Sequence, residues 1–278
     1  MTILVTTPRG KVGSELVPLL RERGVRFRLG ARAIDDARAA FPGIEAVRFD
    51  YADPASFDAA LSGVSSVYLA APSEVGGEHE KQFIDAARTA GVKKIVKLSA
   101  AFAGNGRPSA LRDIERHIEA SGVAWTHLRP AWFDQNYATS QAAAIRGGTL
   151  AEPAGSAKTA FIDTRDIAAV AVEALTSERH DGKAYVLTGP EALDRNEVAA
   201  IISSEIGRTV RYVSLSDEHF RDAVKAFLPP HYVDLLSALY ADVREGATAT
   251  VTNDVPTILG RPATRFSDFA RRSRDAWR

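Results

Sequence analysis

The chain contains no cysteine. That absence excludes disulfides, thiolate metal sites and a cysteine nucleophile, and it fits a reducing cytoplasm, the expected location. Long apolar runs are also missing: no segment approaches the roughly 18–20 residues of a membrane span. No basic start with an apolar run and cleavage site precedes the first strand, so no secretory leader is expected. Neither sign of charge is in excess. Lys plus Arg and Asp plus Glu each number 35, so no global field favours nucleic acid or an anionic membrane. The histidines are scattered, and His117 and His127 lack ligand spacing, so no metal is expected. Internal repeats and low-complexity linkers are absent as well.

What is present is an α/β pattern. The 278 residues suffice for one large α/β domain or one with an appendage. Short apolar runs, "TILVT", "RFRLGA", "AVRFD", "SSVYLAA", "KIVKLSA" and "WTHLRP", alternate with helix candidates over Val12–Arg23, Asp35–Phe41, Pro54–Leu61, Glu78–Ala90 and Leu111–Ser121. Strands apolar throughout, each followed by a helix, predict a doubly wound, Rossmann-like parallel sheet covered on both faces. Gly24, Gly43, Gly63, Gly91 and Gly122 stand where helices need C-terminal caps. After Pro130 the rhythm changes. A helix over Phe133–Arg146, a strand "KTAFID", a helix "TRDIAAVAVEALTS", a strand "KAYVLTG", a helix opened by Asp194, a strand "RTVRYVSLS" and helices Asp217–Phe227 and Pro230–Glu245 follow. The expected division is a dinucleotide-binding domain over 1–130, to which 159–190 returns, and a smaller lobe, mainly for substrate, over 131–278.

The first strand-to-helix turn, "TTPRGKVG", sits where a doubly wound sheet brings backbone amides and a helix start to a pyrophosphate. Thr7, Gly10 and Gly13 occupy the three glycine positions of such a loop. Gly10 is expected nearest the phosphate, and Gly13 lets the helix pack closely. Thr7 makes the turn stiffer, Pro8 removes one N–H, and Arg9 offers a charge that can compensate. At the end of the second strand, "LGARAIDD" holds Arg32 where an acidic residue would select NAD. An arginine there suits a 2′-phosphate, so NADP(H) is the expected cofactor.

The blocks "FDYADPASFDAALSGVSSVYLAAP", "FIDAARTAGVKKIVKLSA", "SGVAWTHLRPAWFDQNY", "AFIDTRDIAAVAVEAL" and "AYVLTGPEAL" stand in an order that resembles the NmrA-like branch of the atypical short-chain dehydrogenase/reductase superfamily. The likeness runs from about Thr2 to Arg272. That branch includes NADPH-dependent quinone, azo-dye and imine-type reductases as well as proteins that only sense the cofactor. The resemblance implies a phosphate loop over Thr7, Pro8, Arg9, Gly10, Lys11 and Val12. It implies adenine-side contacts at Asp50 and Tyr51, and a cofactor-lining loop at Ala70, Ala71 and Pro72. It further implies Ser99 near the nicotinamide and a hinge from Pro130 to Asn136. The chain departs from better-known members in one respect. The segment after Ser99, "AAFAGNGRPSALRDIERHIEASG", contains neither the tyrosine nor the lysine of a Tyr-x-x-x-Lys pair, so proton transfer by that pair is ruled out there.

Ser99 is a candidate to hydrogen-bond a substrate carbonyl, or a turn cap. Tyr137 is a candidate proton donor, or a packed aromatic. Trp132, Phe133 and Phe161 are candidates for an aromatic wall, with Asn136 orienting the substrate. Asp113, Glu115 and Glu119 read as a solvated helix face, Asp163 as a helix cap, and the tail "RFSDFARRSRDAWR" as a surface helix end. The leading function is an NADPH-dependent reductase of a small aromatic or conjugated electrophile of quinone, enone or imine type. A non-redox enzyme for cyclisation, isomerisation or hydration, and an NADP(H)-sensing regulatory protein, are the alternatives. The expected partner is a small-molecule substrate, and both monomer and homodimer stand open.

Overall fold

A computed structural model describes residues 1–72, 75–106 and 109–278. They form two compact units. The first comprises Met1–Pro130, Thr164–Leu187 and Asp254–Arg261; the second comprises Ala131–Asp163, Thr188–Asn253 and Pro262–Arg278. The return segment is thus narrower than 159–190, and a second return, 254–261, joins it.

In chain order the first unit begins β1 (Ile3–Thr6), α1 (Gly13–Glu22), β2 (Phe27–Ala31), α2 (Ile34–Ala40), β3 (Ala46–Arg48), α3 (Phe57–Leu61), β4 (Ser66–Leu69), α4 (Gly77–Thr89), β5 (Lys94–Leu98), α5 (Ala110–Ala120) and β6 (Ala124–Pro130). The second unit then supplies α6 (Gln135–Ala138), α7 (Ala142–Arg146) and β7 (Thr149–Glu152). The chain returns as α8 (Thr164–Thr176) and β8 (Lys183–Leu187). It leaves again as α9 (Arg195–Ile206), β9 (Arg211–Ser214), α10 (Asp217–Val224) and α11 (Pro230–Arg244). Helix α12 (Asp254–Leu259) rejoins the first unit and α13 (Phe266–Ser273) belongs to the second.

The first unit's sheet has the order β3-β2-β1-β4-β5-β6-β8, with every neighbouring pair parallel. The order reverses between β1 and β4, the switch point at whose strand ends such sheets bind ligands. Strands β1 and β4 are buried along their whole length, as a sheet covered on both faces requires. On one face Phe49, Tyr51, Phe57 and Phe83 pack edge to face or tilted, with ring centroids 4.7–5.9 Å apart. On the other face Lys94, buried on β5, reaches the end of α8. Its Nζ donates to the carbonyls of Ala174 (3.2 Å) and Ser177 (2.7 Å) and pairs with Asp181 at 2.6 Å. A cation there meets the negative end of the helix dipole. The five cap glycines all take positive φ, between 67° and 83°. Among the described residues no helix is long and apolar enough to cross a membrane.

The second unit holds the short parallel pair β7–β9 and a core of Tyr137, Ile145, Leu150, Phe161, Val198, Ile202, Phe266, Phe269 and Trp277. Three expectations are corrected there. The helix over 133–146 is two short helices, because the chain breaks its ladder at Thr139–Gln141. "KTAFID" makes only isolated bridges, Thr159 with Leu193 and Phe133 with Ile162. The arginine-rich tail is no mere surface end: Phe266, Phe269 and Trp277 lie in the core, and the Trp277 indole donates to the Tyr137 carbonyl at 2.8 Å. Gly189 marks the tightest approach in this unit. Its N–H donates to the Phe161 carbonyl at 2.6 Å, and a Cβ would collide with that oxygen. We expect Gly189→Ala to destabilise the fold by about 1–3 kcal/mol, seen as a lower urea midpoint with the cofactor affinity unchanged.

Candidate functional site

The turn after β1 keeps the shape of a phosphate loop although its first glycine is gone. Thr7 adopts φ 53°, the left-handed conformation that glycine would take without strain, and it is the only non-glycine residue described with positive φ. Its side chain is anchored, because Thr7 Oγ1 donates to the Ala70 carbonyl at 2.7 Å. The Gly10 N–H then closes the turn on the Thr7 carbonyl at 3.0 Å. Gly13 passes so close that a Cβ would strike the Thr7 oxygen and stand 2.9 Å from the Pro8 oxygen. Pro8 and Val12 are buried, and Lys11 is exposed. Helix α1 starts at Gly13 with Val12 as its N-cap and no side-chain cap, and the Ser14 and Glu15 amides are taken by the Gly10 and Val12 carbonyls, so what its start offers an anion is mainly the positive end of the helix dipole.

Arg9 does not lie across this turn. Its guanidinium pairs with Asp36 in the first turn of α2, at 2.5 Å. Arg32, exposed just past β2, makes no ion pair or side-chain hydrogen bond. Asp50 is half-buried and its Oδ1 accepts from the Ala52 amide at 3.0 Å. Tyr51 corrects an expectation. Its phenol is buried and donates to the Ala70 carbonyl (2.9 Å), with Thr6 Oγ1 at 3.2 Å, so it braces the loop instead of facing an adenine. Ala71 and Pro72 continue from β4 in irregular, half-buried backbone.

Ser99 follows β5, its N–H held by the Leu128 carbonyl at 2.7 Å. Its Oγ is buried and has no full hydrogen-bond partner, though it lies near enough to Glu115 to help hold that carboxyl down. Glu115 is the second correction: it is fully buried, not on a solvated face. Arg129 grips it with Nε at 3.0 Å and Nη2 at 2.7 Å, and Arg112 adds a bond at 3.0 Å. Burial pushes the Glu115 carboxyl up, but these bonds and charges outweigh it and leave the pKa below the ordinary value. The Gly104 backbone makes room for Arg129, since a Cβ there would be 2.7 Å from Nη1. Glu119 is partly buried under Arg112, whereas Asp113 is exposed as expected and pairs with Arg116 at 3.4 Å. His127 joins the group, with Nε2 3.2 Å from Glu119 Oε1, and burial lowers its pKa to about 4, so the ring is neutral at pH 7. The ligand atoms of Glu115, Glu119 and His127 fall within 4.8 Å of one another, a grouping that linear spacing hides. Two arginines already occupy the carboxylates, so the cluster is a buried ion network.

In the second unit, Trp132 and Phe161 flank the guanidinium of the buried Arg195, at 5.9 and 4.9 Å from their ring centroids. Arg195 in turn pairs with buried Glu152 at 2.9 Å. Phe133 and Asn136 are half-buried, and Pro130 is the buried last residue of β6. Tyr137 is only 2% exposed and packs edge-on against Phe161 and Phe266, both at 5.5 Å. Burial and the Glu152 charge hold its phenol well above the ordinary pKa, which corrects its expected part as a ready proton donor. The Asp163 carboxylate, read as a helix cap, accepts from Gln135 Nε2 at 2.8 Å and pairs with Arg272.

An uncapped helix start, a turn that admits no Cβ at Gly13, and an unpaired Arg32 two loops away together fit a phosphate-bearing dinucleotide. The family profile described as NAD(P)H-binding matches residues 9–178, and the chain belongs to that family. It is similar to the NAD(P)H azoreductase of Xenophilus azovorans, 37% identical over 97% of this chain and 96% of that one. It is also similar to the crystal structure of the NADPH-dependent quinone oxidoreductase QOR2 of Escherichia coli in complex with NADPH, with a TM-score of 0.85 and 28% identity over 96% of this chain and 98% of that one. The NADP(H)-bound triphenylmethane reductase of Citrobacter sp., 23% identical over 98% of this chain and all of that one, shares the fold with a TM-score of 0.86. The resemblance to NmrA-like, atypical short-chain reductases is borne out.

Two outcomes follow from this geometry. Gly13→Ala must move the turn, so we expect NADPH affinity to fall at least about tenfold, near 1.4 kcal/mol, in a protein with unchanged far-ultraviolet dichroism; Thr7→Gly should bind as the parent does. Between about pH 6.5 and 4 the unfolded chain holds a proton that folded His127 does not, so stability is lost as pH falls through this window. The slope approaches about 1.4 kcal/mol per pH unit for one proton. The depressed Glu115 and Glu119 carboxyls extend the loss below the ordinary carboxylate range. Urea titrations at stepped pH should show that slope flattened above the carboxylate range in His127→Gln.

Proposed function

We propose that the chain is an NADPH-dependent reductase of small aromatic or conjugated electrophiles: quinones, enones, imines and azo compounds. The observation that carries this reading is Thr7. Held left-handed, it preserves the loop that a missing glycine would otherwise have closed. When bound, the cofactor supplies a hydride for an electrophile held beside it. Gly10 and Gly13 let backbone approach the pyrophosphate, and the positive end of the α1 dipole meets its charge. Arg32 and Arg9 meet the 2′-phosphate, and Arg32 sets the preference for NADPH over NADH. Ser99 closes the carboxyl end of β5 with its hydroxyl buried against Glu115, and so backs the place where the substrate is held rather than reaching into it. The half-buried rings of Trp132 and Phe133 favour planar, polarisable molecules, whereas Phe161 lies in the core and corrects its expected place in an aromatic wall. Tyr137 is packed in the core and its phenol is a weaker acid than usual, so the second half of the reduction draws its proton from water.

The kinship supports the same reading, since relatives of high coverage act on azo compounds and quinones. The non-redox alternative was motivated by a phosphate site closed by Thr7, Pro8 and Arg9. That motive falls away once Thr7 is left-handed and Arg9 turns to Asp36. The reading goes with a cytoplasmic location, where NADPH is regenerated. Titration by nicotinamide fluorescence should give micromolar NADPH affinity, clearly tighter than for NADH. Arg32→Ala should lose about tenfold in NADPH affinity, about 1.4 kcal/mol, with NADH unchanged. NADPH should be consumed when a quinone or azo dye is added. No binding of any nicotinamide would return the cleft to non-redox chemistry, and binding without turnover would favour a sensor.

A further inference from the structure

The ion pair between Arg9 and Asp36 joins two loops at one edge of the nucleotide site. Arg9 lies in the turn after β1, Asp36 in the first turn of α2, and β1 and β2 are adjacent parallel strands in register from Ile3–Phe27 to Thr6–Gly30. The carboxyl ends of these two strands are where a doubly wound sheet distinguishes a ribose hydroxyl from a 2′-phosphate. The patch carries three arginines, and they are not equivalent. Arg38 is held by Asp35 at 3.4 Å and Arg9 by Asp36 at 2.5 Å, whereas Arg32 has no acidic partner. The protein therefore keeps a carboxylate of its own on a cation at the edge where a 2′-phosphate would lie.

We propose that Asp36 is a specificity-determining residue for the nicotinamide cofactor: its carboxylate holds Arg9 in place of the 2′-phosphate and is displaced only by a cofactor that carries one. This rests on the reading of the chain as an NADPH-dependent reductase. A guanidinium fork binds carboxylate and phosphate in the same geometry, so the two compete for one donor set. The phosphate, with about 1.5 to 2 negative charges, wins. Both side chains of the pair are more than half exposed, 53% and 58%, so the pair is worth at most about fivefold in an equilibrium and is readily exchanged. Displaced, Asp36 remains near the phosphate and repels it. NADH meets neither effect: it leaves Arg9 on Asp36. Asp36 therefore narrows the gap between the two cofactors and lets NADH compete.

The test is a double-mutant cycle on the full chain, titrated with NADPH and NADH by nicotinamide fluorescence at low and high salt. Asp36→Asn should tighten NADPH about threefold to tenfold and leave NADH within about twofold, and the gain should shrink at high salt. With Arg9→Met in the background, the gain should fall to less than half, because most of it passes through the guanidinium. An unchanged NADPH-to-NADH ratio in Asp36→Asn overturns the proposal while the reductase reading stands. So does a gain that persists in full without Arg9. Failure of the unmodified protein to bind either nucleotide sinks the reductase reading, and the competition with it.

Discussion

Three hydroxyl groups converge on the carbonyl of Ala70: Thr6 Oγ1 at 2.9 Å, Thr7 Oγ1 at 2.7 Å and the Tyr51 phenol at 2.9 Å. A carbonyl oxygen has two lone pairs, so Thr7 and Tyr51 fill this acceptor and the one Thr6 hydroxyl proton goes to the Tyr68 carbonyl, also 2.9 Å away. The left-handed conformation of Thr7 costs about 1–2 kcal/mol for a residue with a Cβ, and a hydrogen bond returns about 1 kcal/mol of that. Everything at the nucleotide site is downstream of this knot. It fixes the Thr7 carbonyl, which receives Gly10 and leaves room for Gly13 only because that residue lacks a side chain. The start of α1 then follows with no side-chain cap, its Ser14 amide held by the Gly10 carbonyl at 2.9 Å. A threonine thus does a glycine's work through a side-chain bond that glycine could not make.

A second theme is charge inside the protein. Lys97 pairs with Glu80 at 2.7 Å between β5 and α4, Arg129 with Glu115 between β6 and α5, and Arg195 with Glu152 between α9 and β7. Each couples a helix to a strand where an apolar contact would be less exacting about register. Such pairs add little net stability, yet removing one partner strands a charge and costs about 3–5 kcal/mol. The Glu115 network also sits beside Ser99, so a buried polar cluster of the first unit backs the hydroxyl at the end of β5.

The main sheet was legible because its information is local: apolar strands of three to seven residues, helices between them, and glycines at the helix ends, all five of which take positive φ. The exposed place of Arg32 just past β2 was legible for the same reason. The rest depends on what meets across the fold. Nothing in the order "TTPRG" says that Ala70, sixty-three residues on, rescues Thr7 from strain. Glu115 reads as one more charge on a polar helix until Arg129 arrives from β6. Tyr51 was assigned to the cofactor by the resemblance and Tyr137 to the pocket by its place just past the hinge, and both proved to be buried braces. The helix break at Thr139–Gln141 carries no proline or glycine to announce it.

The chain crosses between its two units five times, so neither is a continuous piece of polypeptide. During synthesis the six strands β1 to β6 emerge first, but the seventh, β8, follows only after the whole segment 131–163 and α8. At about 5–20 residues per second that takes several seconds. Throughout that interval the outer edge of β6 has no neighbour, and a bare edge is a template for pairing with other chains. Strand β6 ends in the half-buried charge of Arg129 and in Pro130, which lacks an N–H, features that blunt such an edge. The interrupted order of the units thus makes the growing chain, rather than the finished protein, the form that needs guarding against aggregation.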